Sequence, residues 1–166
     1  GVLYGVLLAI VLSILDIVRR IARPHDAALG YVPGLAGMHD VDDYPEAVPV
    51  PGLVVYRYDA PLFFANAEDF HARAMAVVDG SPHPVEWFVL NTEAQVDPDL
   101  TAVDAMERLR RDLTARGVVF AMAKVKQDLR DDLDKAGFLD KVGADRVFAT
   151  LPTAVAAFRA RGGSPG

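Results

Sequence analysis

At 166 residues, 52% of them hydrophobic and 24% charged, the chain can build one cored domain with an appendage, and wholesale disorder is excluded. A formal charge of −6 excludes a general nucleic-acid binder, which needs a basic face. With no cysteine, disulfides, thiolate zinc sites and cysteine nucleophiles are excluded too.

The first eighteen residues, GVLYGVLLAIVLSILDIV, are apolar on every face and carry one charge, Asp16. As a helix they would span about 27 Å, close to the hydrocarbon core of a bilayer. A secretory signal needs a basic stretch before the apolar run and a small-residue cleavage site after it, and neither is there. Arg19, Arg20 and Arg23 come directly after the apolar run. Residues 1–23 therefore hold a balance of +2, against −8 for the rest. By the positive-inside rule, the chain beyond this basic cluster is cytoplasmic. The predicted element is the end of a transmembrane helix with a basic flank; the competing reading is a buried core helix. The chain opens on Gly1 rather than Met, which fits a piece of a longer protein.

Residues 24–52 read as a connector, because Pro24, Pro33, Pro45, Pro49 and Pro51 preclude a long helix. Leu29–Val32 could form a short strand. The acidic HDVDDY stretch, His39–Tyr44, matches no metal loop by spacing and reads as a solvated turn.

Strands and helices then alternate over residues 53–161. Leu53–Tyr58 is β-rich after a Pro-Gly break, and Leu62–Phe64 reads as a second short strand. Asn66 is a good N-cap for a helix burying Phe70, Ala74, Val77 and Val78. Trp87–Leu90 and Val118–Ala123 are continuous apolar runs, as in buried parallel strands. Between them, Asp97 can cap a helix with Pro98 at its first position and Ala102, Met106, Leu109 and Leu113 on its inner face. Leu129, Leu133 and Ala136 mark a further helix, Arg146–Phe148 a short strand, and Pro152 to Phe158 a last helix. Residues 162–166 are a loose tail. The pattern is that of an α/β fold with a largely parallel sheet.

Reactive constellations are missing. No phosphate loop, dinucleotide fingerprint or nucleophile elbow occurs, and His25, His39, His71 and His83 share no metal-binding spacing. His71 reads as a partly exposed surface histidine, and Asp131 and Asp132 as a solvated face. The sequence thus predicts no catalytic residue, no metal and no required cofactor.

Five segments in order resemble the C-terminal region of SulP-type anion (sulfate) permeases. They are RRIARP (Arg19–Pro24), LGYVPG (Leu29–Gly34), DYPEA (Asp43–Ala47), PGLVVYRYDAPLFFANAEDF (Pro51–Phe70) and DPDLTAVDAMERL (Asp97–Leu109). The resemblance implies a STAS domain, similar to anti-sigma factor antagonists. Such a domain has a mixed, largely parallel sheet of about five strands with four to five helices, here preceded by the apolar helix. It further implies a place at the inner cell membrane with the STAS domain in the cytoplasm. There it would regulate a secondary anion transporter through the membrane domain of the same protein, and through a regulatory protein or kinase. The alternative is an independent phospho- or nucleotide-switched adaptor of the antagonist type, which would not need residues 1–18.

The resemblance implies two sites. In the antagonists, a Ser or Thr at the start of the second helix is phosphorylated, and the matching position is Thr101. Its plain alternative is a first-turn threonine whose hydroxyl bonds the backbone. The strand before that loop ends in aspartate in the family but in Asn91 here, which removes a charge from any kinase-dependent step. Some STAS domains bind nucleotides. A guanine or adenine nucleotide would meet backbone N–H groups at the turns Ala65–Asn66 and Asp99–Leu100–Thr101, with Lys124 and Lys126 adding charge.

Overall fold

The computed structural model describes residues 1–31 and 37–161. A leading helix α1 (Val2–Ala22) is succeeded after three residues by β1 (Asp26–Tyr31) and β2 (Met38–Asp40). The chain continues through β3 (Leu53–Tyr58), α2 (Ala67–Asp79), β4 (Trp87–Asn91), α3 (Leu100–Ala115) and β5 (Val119–Ala123). It closes with α4 (Gln127–Lys135), α5 (Phe138–Val142), β6 (Val147–Phe148) and α6 (Leu151–Arg161).

The strands form one mixed sheet in the order β2-β1-β3-β4-β5-β6. β3 to β6 run parallel, and β1 runs antiparallel to both of its neighbours. Every residue of β4 is buried, as a central strand covered on both faces requires. On one face Phe70, Met106, Leu109, Leu129, Leu133 and Phe138 pack on Val54, Tyr56, Phe88, Leu90, Phe120 and Met122. On the other, α6 lays Leu151, Val155 and Phe158 on Val55, Trp87, Val89 and Ala121, and β1 adds Ala27 and Leu29. α1 has no buried residue.

The sheet begins earlier than residue 53. Asp26–Tyr31 lies in the proline-rich connector yet pairs along β3, because Pro24 precedes it and Pro45, Pro49 and Pro51 all fall between β2 and β3. Gly30 is needed there: a Cβ would stand 3.0 Å from the backbone of Val48, which bridges to Tyr31. His39 and Asp40 belong to β2 rather than to a solvated turn, and Asp40 is buried.

Leu62–Phe64 is not a strand. Its polar backbone groups are taken by side chains instead: the Leu62 N–H by Gln95 and the Phe63 N–H by Asn66. α3 starts at Leu100 and is capped by Asp99, not Asp97. Asp99 has the extended backbone of a cap (φ −79°, ψ 176°), whereas Asp97 sits at φ 44°. α5 went unforeseen between Gly137 and Gly143, being only five residues long. Val32 and the tail at 162–166 lie outside the described residues.

Candidate functional site

Because β3, β4 and β5 are parallel, the loops at their C-terminal ends (59–66, 92–99 and 124–126) gather at one edge of the sheet. β1 starts at that same edge, since Asp26 pairs with Tyr58. This edge holds Ala65, Asn66, Asp99, Leu100, Thr101, Lys124 and Lys126. The topology thus brings the expected phosphorylation and nucleotide positions to one rim.

Their chemistry is uneven. Asn66 is fully buried, and its side chain is used within its own loop, accepting from the Phe63 N–H at 2.9 Å and donating to the Pro61 carbonyl at 3.0 Å. The N–H groups of Asn66 and Ala67 both go to the Phe63 carbonyl. The turn Ala65–Asn66 therefore offers a phosphate few free donors. At α3, Asp99 Oδ1 accepts from the Ala102 N–H at 2.8 Å, and the Asp99 carbonyl accepts from Val103. The N–H groups of Leu100 and Thr101 remain, at the positive end of a sixteen-residue helix. No hydrogen bond engages the Thr101 hydroxyl among the described residues, and the side chain is half-buried. Lys124 has φ 56° and pairs with Glu93 at 3.2 Å. Lys126 is exposed at the N-cap position of α4. Asn91, at the end of β4, accepts from the Glu93 N–H at 3.0 Å and shapes the turn without a charge.

The rim is rigid. Gln95, buried at 4% exposure, accepts from the Leu62 N–H at 2.9 Å and donates to the Ala60 carbonyl at 2.8 Å. Thr92 donates to the Ala123 carbonyl at 3.1 Å. Sequence reasoning missed both, since a glutamine and a threonine in a loop carry no periodic signal. It also missed that Phe64 and Leu100 stand 81% and 75% exposed.

The entry of β1 is fastened at the same edge. Asp26 accepts from the Tyr56 hydroxyl at 2.8 Å and from Arg73 at 3.0 Å; Arg73 also bonds the Pro24 carbonyl and Asp69, which accepts from the Tyr58 hydroxyl. Burial, reinforced by these carboxylates, pushes both tyrosine hydroxyls far above their ordinary range. His25 lies between Asp59, 2.9 Å from Nδ1, and Asp40, 3.4 Å from Nε2. The Asp59 hydrogen bond raises its pKa, against the opposing effect of burial. Asp40 Oδ2 is buried and has no hydrogen-bond partner. His71 is mostly buried and bonds Asp112 at 2.7 Å.

Among the described residues, no group of three His, Cys, Asp or Glu could hold a metal ion. A shallow hollow of about 430 Å³ lies beside Asp97–Leu100, closed by Val103, Asp132 and Lys135. A more apolar one of about 500 Å³, between β1 and Gly80–His83, contains none of the candidate residues.

The model of the STAS domain matches residues 44–154. The chain is 66% identical over 161 residues to the probable sulfate transporter Rv1739c of Mycobacterium tuberculosis, covering 97% of this chain and 29% of that protein. It is 31% identical to low affinity sulfate transporter 3 of Stylosanthes hamata, covering 91% of this chain and 25% of that protein. The chain thus spans less than a third of these relatives' length. Among solved structures, the murine Slc26a9 anion transporter matches 95% of this chain and 26% of its own, at a TM-score of 0.79 and 22% identity. The SulP transporter STAS domain of Vibrio cholerae matches 73% of this chain and 91% of its own, at a TM-score of 0.59 and 21% identity. These last two likenesses are of fold. With the family match running over more than half of its length, the chain belongs to the STAS domain family.

Proposed function

We propose that this chain is the cytoplasmic regulatory domain of a SulP-type secondary anion transporter, with sulfate the anion, still attached to the end of its last membrane helix. The observation that carries the reading is α1: a helix of twenty-one residues with an eighteen-residue stretch of mean hydropathy 2.3 and none buried. A core helix of a soluble protein would be covered by its neighbours; this one finds no apolar surroundings within the domain. Arg19 and Arg20 in its last turn are the flank expected on the cytoplasmic side. The 66% identity to a probable sulfate transporter supports the same assignment. The independent adaptor leaves α1 without a role.

The domain acts by contact rather than by catalysis. Thr101, half-buried at the second position of α3, is the proposed phosphorylation point, and the Leu100 and Thr101 amides with Lys126 are the better half of the proposed nucleotide site. A phosphate on Thr101 would gain from the helix dipole and lose by repulsion from Asp97, Asp99 and Asp104, so it would change surface charge more than stability.

Sulfate uptake by the intact protein in membrane vesicles tests the reading, with wild type, Thr101→Glu and Thr101→Ala compared. Membrane-bound uptake that Thr101→Glu changes and Thr101→Ala renders insensitive to phosphorylation is the expected result. A protein that stays in the soluble fraction overturns the transporter reading. Identical regulation in all three removes Thr101 alone.

A further inference from the structure

The chain passes from α1 to β1 through Arg23, Pro24 and His25, and the ring of His25 is set between two carboxylates. Nδ1 lies 2.9 Å from Asp59, in the loop after β3, and Nε2 lies 3.4 Å from Asp40, in β2. The two acids are unequally provided for. Asp59 has a second donor, since Arg57 bonds it from β3. Asp40 is 5% exposed; its Oδ1 accepts from the Asp42 N–H, while its Oδ2, the atom facing His25, is buried with no hydrogen-bond partner. A buried carboxylate oxygen without a donor costs free energy, and His25 Nε2 is the nitrogen placed to supply one.

Whether it does so depends on its protons. A neutral imidazole has one N–H and one lone pair, so it serves one carboxylate and turns a lone pair on the other; only the imidazolium donates at both nitrogens. The neutral ring keeps its proton on Nδ1, where the contact is shorter, and Nε2 then meets Asp40 Oδ2 acceptor to acceptor. The carboxylates facing the ring are Asp59 from the loop after β3, Asp40 from β2 and Asp26 from β1. The neighbouring cations are engaged with other groups, Arg57 with Asp59 and Arg73 with Asp26 and Asp69. His39, the other titratable ring on this side, belongs to β2 and lies against Tyr44. The Asp59 hydrogen bond raises the His25 imidazole above its ordinary 6.5 against the opposing effect of burial, and the charges of Asp59, Asp40 and Asp26 add to it. The change of state therefore falls above pH 6.5, within the range that a cell reaches.

We propose that His25 is a proton-operated latch at the root of α1: as the imidazolium it ties the chain leaving α1 to the end of β3 and to β2 together, and on losing its proton it releases β2. What β2 then gives up is local. Asp40 is paired with Leu29 at the end of a three-residue strand, and the next amide, that of Val41, bonds the Ala28 carbonyl. A short edge strand holding a buried carboxylate without a donor opens more readily than the central strands β4 and β5. Arg73 keeps its hold on the Pro24 carbonyl and on Asp26 in both states, so β1 stays seated. Acidity around the domain thus changes the outer strand next to α1 and leaves the core of the sheet as it is.

NMR of the 166-residue chain in detergent micelles, titrated from about pH 5.5 to 8.5, tests the latch. The ring-nitrogen shifts of His25 report its proton and its tautomer; amide exchange, corrected for its intrinsic dependence on pH, reports β2. As His25 loses its proton, protection at Val41 and Asp42 should fall several-fold, while Val89 in β4 keeps its own. His25→Ala should show the low protection at every pH. Asp40→Asn keeps the acceptor for the Asp42 N–H and turns an amide donor towards Nε2, so the contact no longer needs the second proton. In that variant protection at Val41 should not fall as pH rises, and His25 should titrate at lower pH than in wild type. Protection that is independent of pH in wild type overturns the proposal, as does a fall that persists in His25→Ala or that follows the shifts of His39 instead. A neutral His25 protonated on Nε2, holding Asp40 and letting Asp59 go, overturns it too. Transport enters none of these readouts, so a failed latch leaves the transporter reading as it stands.

Discussion

His25 Nδ1 lies 2.9 Å from a carboxylate oxygen of Asp59, which ties the segment leading out of α1 to the end of β3. The carboxylates of Asp40 and Asp26 also face the ring, and Arg57 shares Asp59. The Asp59 hydrogen bond raises the imidazole above its ordinary 6.5. Burial would raise the Asp59 carboxyl, but hydrogen bonds from Arg57 and His25 outweigh it and hold it below 3.8.

These two shifts give the first prediction. The raised histidine contributes stability that is complete below pH 6.5 and lost as pH rises through its folded value; the lowered aspartate contributes above pH 3.8 and loses it in acid. The thermal midpoint should therefore decline from pH 6 to pH 8.5. His25 is more than half exposed, so the contribution is that of a surface pair, about 0.2–1 kcal/mol. His25→Gln should flatten this part of the curve. An unchanged slope in the variant would assign the decline to other groups.

Gln95 is the second test. Gln95→Ala leaves the Leu62 N–H and the Ala60 carbonyl unpaired beneath the rim, at a cost of about 1–3 kcal/mol. Hydrogen exchange at Leu62 should accelerate more than at Phe88 or Val89. Gln95→Glu keeps the acceptor for Leu62 but loses the donor to Ala60, and should rescue the Leu62 protection in part.

A third prediction concerns the central strand. Leu90 is 1% exposed in β4, within the larger core. Leu90→Asp must bury a charge with no partner or expel the strand, which costs several kcal/mol, about the whole stability of a domain this size. Loss of the circular-dichroism signal at 25 °C is expected; Leu90→Met should retain it.

Where the folded unit begins can be measured too. A chain starting at Arg23 keeps the Pro24, Asp26 and Arg73 bonds and should remain monomeric or weakly dimeric in water, with a cooperative melt. A chain starting at Leu53 loses β1, uncovers Tyr56 and the backbone edge of β3, and should aggregate. Equal behaviour of the two would place the boundary at residue 53 after all.

The sequence announced the buried strands and the amphipathic helices plainly, because Trp87–Leu90 and Val118–Ala123 are uninterrupted apolar runs and Met106, Leu109 and Leu113 recur at helical spacing. β1 was half hidden: its two alanines and one glycine have little strand preference, and what makes it a strand is the free edge of β3. Leu62–Phe64 misled for the opposite reason. Its apolar composition suits a strand, but polar side chains from elsewhere claimed its backbone first. At the site, Thr101 could be placed by analogy with the antagonists, whereas Gln95 and the bareness of Phe64 and Leu100 depend on which loops meet in space. Asp97 and Asp99 are equivalent caps on paper; only the backbone angles separate them.

The antiparallel setting of β1 has a mechanical consequence. A pull on the chain at Pro24 along the strand loads the β1–β3 hydrogen bonds together, in shear, instead of peeling them open one at a time. Asp26 to Ala28 are seated against Tyr56 to Tyr58, and Arg73 clamps the leading end. Small axial displacements of α1 would therefore move the sheet as a stiff body, while a sideways pull would start by unzipping at Asp26. The junction is stiff in one direction and compliant in the other.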